Sequence, residues 1–273
     1  MSESSEALAQ KGVENILSNS PNIVDILLGR KNLRLVNSDK LVEEVQKRVW
    51  GALKNDFQYT NVTKDSEEFL HKNVLENVPM AVLYVDLVGS TNMVMNLPHK
   101  QLAAIISSFA QEMAYVIKQH NGLVLKFVGD AVIGYFTERD RISVADIAVT
   151  CAESMIRVLK LGINPLLKQY DYPDLRVKIG IDYGENTIIR YGDDKESHVD
   201  ILGQSMNMAS KIQNLAVPDQ ILITGEIYDK LSPTIKEYFN LLKGKTNWKY
   251  KNKITGKPYL VYTYVGKEKE EKD

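Results

Sequence analysis

Asp86 ends a short apolar run, Ala81-Val82-Leu83-Tyr84-Val85, and Asp130 follows a glycine between two further apolar runs, Leu123 to Val128 and Ala131 to Phe136. Strand-end carboxylates without neighbouring His or Cys are hard oxygen donors, suited to Mg²⁺ or Mn²⁺ held together with the phosphates of a substrate. Two such ions stabilise the attacking and leaving oxygens of a displacement at phosphorus. Between the aspartates, Val88-Gly89-Ser90-Thr91 turns the chain into a helix. Its first backbone N–H groups and dipole attract a polyphosphate, with Gly89 permitting close approach and Ser90 or Thr91 capping. Taken singly, a strand-end aspartate is more often a cap or turn residue, and Gly-Asp more often a bare turn.

The elements that must position these residues follow from periodicity. Pro98 opens a helix whose apolar positions Leu102, Ile105, Ile106, Phe109, Met113 and Val116 recur at helical spacing, and Asn121-Gly122 stops it. Gly129-Asp130 joins two strands as a hairpin, so the second carboxylate sits at a hairpin tip. A second helix is predicted over Arg141 to Tyr170, bent near Gly162 and Pro165, followed by a strand from Arg176 to Asp182. The order β-α-β-β-α-β predicts an α+β, ferredoxin-like core, an antiparallel sheet with its two helices on one face. Further strands are expected at Asn186 to Tyr191, Gln220 to Thr224 and Tyr259 to Val265, with a helix near Ser205 to Leu215.

Residues 1–75 read as an N-terminal helical extension, with Val42, Val45, Val49 and Leu53 at helical spacing and Asp39 placed as a cap. Residues 76–266 form the expected catalytic domain, and 267–273 a charged, mobile tail. Lys and Arg number 34 against 35 for Asp and Glu. That balance gives no general attraction to nucleic acid or an anionic membrane. The one cysteine, Cys151, shares a helical face with Ile147 and Met155 and reads as core. No apolar run approaches the roughly 18 residues needed to cross a bilayer. The expectation is a cytoplasmic protein. His71, His99, His120 and His198 are scattered without metal-ligand spacing and are expected at the surface.

Val85-Asp86-Leu87-Val88-Gly89-Ser90-Thr91 and Lys126-Phe127-Val128-Gly129-Asp130-Ala131 resemble the two metal-binding signatures of class III adenylate and guanylate cyclases. Lys178-Ile179-Gly180-Ile181-Asp182-Tyr183-Gly184 resembles that family's next strand. Asp200-Ile201-Leu202-Gly203-Gln204-Ser205-Met206-Asn207-Met208-Ala209-Ser210-Lys211 resembles its late helix signature. The resemblance covers about residues 79 to 245.

The resemblance implies that Asp86 and Asp130, with the Leu87 carbonyl, ligate two Mg²⁺ or Mn²⁺ ions. Gly89, Ser90 and Thr91 lie where the substrate's phosphates bind, and Lys126 and Asp200 occupy the base-selecting positions. Lys with Asp is the adenine-type combination, since a carboxylate accepts from the amino group and an ammonium donates to a ring nitrogen. Asn207 matches the residue that orients the ribose. Lys211 stands where the family has Arg, keeping the charge without the bidentate fork, and Lys243 matches a lysine for the terminal phosphates. In the family, metal ligands come from one subunit and the base selectors, Asn and Arg from its partner. The implied enzyme is therefore a homodimer with active sites at the subunit interface, converting ATP to 3′,5′-cyclic AMP and pyrophosphate. Two alternatives stand beside it: a pyrimidine (CTP or UTP) or guanylate cyclase in signalling or antiphage defence, and a catalytically weak nucleotide-binding regulatory module.

Overall fold

The structure, a computed structural model, describes residues 38–54, 60–138, 143–192, 197–243, 248, 250–251, 256 and 258–266. About half of the expected N-terminal extension, residues 1–37, and the whole charged tail, 267–273, lie outside the described residues. Two helices of the extension are described, α1 (Ser38–Leu53) and α2 (Lys64–Lys72). The buried stripe of α1 is Leu41, Val45, Val49 and Ala52, so the packed face is rotated from the predicted one. Asp39 lies in the first turn of α1 and pairs with Arg157.

Four antiparallel strands form the heart of the sheet: β1 (Asn77–Leu87), β2 (Leu123–Val128), β3 (Ala131–Thr137) and β4 (Val177–Tyr191), in the spatial order β2-β3-β1-β4. This is the expected ferredoxin-like order. The chain between β1 and β2 forms α3 (Ser90–Asn96) and α4 (His99–Gln119). Between β3 and β4 come α5 (Val144–Arg157), a π-helical turn (Val158–Ile163) and α6 (Asn164–Lys168). The predicted bend thus takes the form of a widened turn, with Pro165 in the first turn of α6, where its missing N–H costs nothing.

Helix α4 packs on β2 and β3, and α5 on β1, β3 and β4. Gly134 makes room there, since a Cβ on it would lie 2.7 Å from Ile117. Helix α1 packs outside them, joined to α4 by a bidentate ion pair from Arg48 to the buried Glu112, at 2.9 and 2.7 Å. His120, expected at the surface, is instead buried: Nδ1 meets the Val116 carbonyl and Nε2 the Ser154 hydroxyl. Burial lowers its pKa. Cys151 is buried as expected.

The two strands predicted at 176–182 and 186–191 are one continuous strand, β4. Its second half pairs with β5 (His198–Gly203), an element absent from the sequence-based expectation. The β4–β5 ribbon and α2 lie against the other sheet face, where Leu70, Met80, Val82, Ile133, Ile188 and Ile201 share one apolar cluster. Helix α7 (Gln204–Leu215) follows, then β6 (Gln220–Thr224), parallel to β4. The described chain closes with α8 (Gly225–Lys230), α9 (Pro233–Lys236), β7 (Phe239–Leu241) and β8 (Val261–Tyr264), which extend the sheet beyond β6. No described helix is long and apolar enough to cross a membrane.

Candidate active site

Pairing places the two aspartates together. Val85 of β1 lies opposite Val132 of β3, and the β2–β3 hairpin closes with Val128 opposite Ala131, leaving Gly129 and Asp130 as the turn. Gly129 takes a φ of 61°, a left-handed conformation that glycine adopts without steric cost. Asp130 therefore stands at the hairpin tip beside the end of β1, where Asp86 lies. The Asp86 carboxyl is raised above its ordinary pKa, first by burial and then by the charge of Asp130. Gln213, Lys178 and the Leu87 backbone oppose that rise. A divalent cation between the carboxylates would convert their repulsion into attraction, so the donor set fits a hard metal. Among the described residues no group of three or more His, Cys, Asp or Glu could hold a metal. Carbonyls, water and substrate phosphates would have to complete the coordination.

Neither Ser90 nor Thr91 caps α3. Gly89 is the N-cap at φ 76°, with no side-chain cap hydrogen bond. A Cβ on Gly89 would meet nothing within 4 Å, so the glycine is required by backbone twist rather than by space.

Lys126 and Asp200 form an ion pair across β2 and β5. A β-bulge brings them together: the register slips between Val124 and Lys126, so that Leu123 opposes Tyr135 and Lys126 opposes Ile133. The extra residue lets Leu123 and Lys126 share one sheet face, where strict alternation would have turned Lys126 toward α4. Tyr84, on β1 two residues before Asp86, lies close enough to Asp200 for that charge to raise its pKa, after burial. Tyr84 was not singled out from sequence. Its signal was a polar tip in an otherwise apolar strand that ends on a chemical residue.

Helix α7 has two distinct faces. Met206, Ala209, Ile212 and Gln213 are buried against the sheet, whereas Asn207 and Lys211 are exposed. The buried face approaches β4 closely, because a Cβ on Gly180 would lie 2.3 Å from the Ala209 carbonyl oxygen. From this face Gln213 Nε2 donates to Asp86 Oδ2 at 3.0 Å. Asn207 and Lys211, one helical turn apart, point away from that contact, and the Lys211 ammonium lies 4.1 Å from the Tyr250 ring centroid. Lys243 is exposed just after β7, and Gly244 to Thr246 lie outside the described residues. The chain thus brings together Asp86 with Asp130 and Lys126 with Asp200. It turns Asn207 and Lys211 outward.

Residues 73–264 match the adenylate and guanylate cyclase catalytic domain family. A cytidylate cyclase of Escherichia coli is 25% identical over 169 residues, 58% of this chain and 36% of that protein. A uridylate cyclase of Burkholderia cepacia is 28% identical over 179 residues, 65% of this chain and 77% of that protein. The chain spans about a third of the length of the first curated relatives it matches. In fold it resembles the adenylyl cyclase CyaB of P. aeruginosa, with a TM-score of 0.59 and 23% identity over 71% of this chain and 97% of that one. The guanylyl cyclase Cya2 gives a TM-score of 0.59 at 21% identity over 71% and 96%. With the family matched across the sheet, both aspartates and α7, the chain belongs to the adenylate and guanylate cyclase catalytic domain family, the class III nucleotidyl cyclases.

Proposed function

We propose that this chain is a cytoplasmic nucleotidyl cyclase acting as a homodimer, with ATP as substrate and 3′,5′-cyclic AMP and pyrophosphate as products. The observation that carries the reading is the carboxylate pair at the end of β1 and the tip of the β2–β3 hairpin, close enough for Asp130 to raise the Asp86 pKa.

Asp86 and Asp130, with the Leu87 carbonyl, would hold two Mg²⁺ or Mn²⁺ ions. When bound, these ions would neutralise phosphate charge and ease loss of the ribose 3′-hydroxyl proton. The backbone of Gly89, Ser90 and Thr91 receives the phosphates. Asn207 orients the ribose so that its 3′-oxygen lies in line with the α-phosphorus and the leaving pyrophosphate. Lys211 delivers positive charge to the reacting phosphate, and Lys243 to the terminal ones.

Lys126 and Asp200 supply one donor and one acceptor for the base edge. Adenine presents an amino donor beside a ring-nitrogen acceptor, which fits this pair, whereas guanine and uracil present a carbonyl beside an N–H. Cytosine has the same amino and ring-nitrogen pattern as adenine. CTP is therefore the second reading, favoured by that chemistry and by the relative named cytidylate cyclase. Purified protein incubated with ATP, CTP, GTP or UTP and Mn²⁺, with products identified by mass spectrometry, tests both. Cyclic AMP is the expected product. Cyclic CMP alone would establish the second reading, and cyclic GMP or UMP alone would overturn the assignment of Lys126 and Asp200.

Replacing the outward lysine tests its role. Removing a transition-state donor costs about 100-fold to 1000-fold in rate. Lys211→Ala is expected to lose kcat on that scale, while Lys211→Arg, which restores a bidentate fork, holds or raises it. A wild-type protein without turnover, still silent as Lys211→Arg, would instead support the regulatory nucleotide-binding reading.

A further inference from the structure

Gln213 is 4% exposed on α7, where the other inward residues around it, Ala209, Ile212 and Ala216, are apolar. An amide at such a position costs free energy unless its polar atoms are satisfied. Its Nε2 is satisfied by Asp86 Oδ2, 127 residues away in sequence, at 3.0 Å. The contact depends on how low the helix sits. Gly180 lies opposite Tyr84 in the β1–β4 register, one pleat from the Asp86–Lys178 pair. A side chain at Gly180 would collide with the backbone of α7 at Ala209 and Gln213, at 2.3 and 2.5 Å. The missing side chain lets α7 descend until Gln213 reaches the end of β1.

We infer that Gln213 is a positioning residue for the metal site, fixing the Asp86 carboxylate by donating to Oδ2 so that its remaining lone pairs face Asp130. This deepens the reading of Asp86 and Asp130 as metal ligands and rests on it. A free carboxylate rotates about its last torsion and must be ordered when a cation binds. One whose orientation is set by an amide and by the Leu87 backbone hydrogen bond loses less freedom. Helix α7 thereby has a task on each face: Gln213 serves the Asp86 of its own chain, while Asn207 and Lys211 face outward.

The test is a titration of nucleotide-free protein with Mn²⁺ alone, followed by the EPR signal of free ion and by water-proton relaxation. The proteins are wild type, Gln213→Met, Gln213→Leu and Asp86→Ala. Methionine preserves length without a donor, and leucine gives a second apolar replacement should methionine pack poorly. Losing a partner that orients a ligand typically weakens metal affinity about 10-fold to 100-fold. The expected result is weakening on that scale in a Gln213 variant whose metal-free melting temperature matches wild type. Wild-type Mn²⁺ affinity in a folded Gln213 variant, alongside loss in Asp86→Ala, would overturn the role of Gln213 and leave the metal site standing. Wild-type affinity in Asp86→Ala would overturn both.

Discussion

Asp86→Ala and Asn207→Ala proteins, purified separately, are each expected to lose at least about 100-fold in kcat, and co-folding them in equal amounts to recover up to about one quarter of wild-type activity. The geometry of α7 is the reason. Gln213 occupies the side of the helix that meets its own Asp86, and Asn207 and Lys211 project from the exposed side. A helix cannot present both sides to one point, so in the proposed homodimer the outward residues would complete the aspartate site of a second copy. Random pairing makes half of the dimers mixed, and each mixed dimer holds one site with intact Asp86 and intact Asn207 beside one site lacking both. Cyclic-nucleotide yield against mixing ratio reads this out. Failure of the mixture to exceed either parent would exclude sites shared between subunits.

Stability is expected to fall as pH rises from about 4 to 8, and Asp182→Asn to remove most of that slope. Asp182 is 1% exposed on β4 and accepts a hydrogen bond from the Thr224 hydroxyl. Burial pushes its pKa up to about 8; Glu226 adds to the rise and the Thr224 bond opposes it. The folded state therefore keeps a proton that the unfolded chain releases near the ordinary carboxyl value of 3.8. No penalty exists below that value. It accumulates as pH rises toward 8 and is constant above. A penalty of a few kcal/mol corresponds to a melting temperature lower by about 5–10 °C at pH 8.5 than at pH 5 for a domain of this size. Glu112, also raised by burial despite Arg48, contributes in the same direction. Scanning fluorimetry of wild type and Asp182→Asn across this range measures the difference. An unchanged slope in the variant would assign the effect elsewhere.

The two aspartates were legible because each belongs to a local pattern: a strand ending in a carboxylate, and a two-residue turn between apolar runs. The helices α4 and α7 and the β2-β3-β1-β4 order followed from periodicity in the same way. Gln213 was not legible as a partner of Asp86, since that contact depends on the height of α7 above β4. Its trace in the sequence is one amide within an apolar helical stripe, together with a glycine in the strand below. Strand β5 escaped because His198 to Gly203 carries only two apolar residues on its buried side, Val199 and Ile201. His120 was misplaced because a single histidine at a helix end reads as exposed unless its tertiary partner, Ser154, is known.

The register of β2 carries a further consequence. Which face Lys126 occupies is decided by the number of backbone residues between it and the Gly129-Asp130 turn rather than by any neighbouring side chain. Exchanging or removing Leu125 leaves the lysine opposite Ile133, whereas removing Phe127 or Val128 would carry it opposite Val132 and so to the other side of the sheet. On the proposed base-selecting role of Lys126 and Asp200, the choice of base depends on strand length, and an in-frame deletion of one codon between Lys126 and the turn would erase it where most missense changes would not.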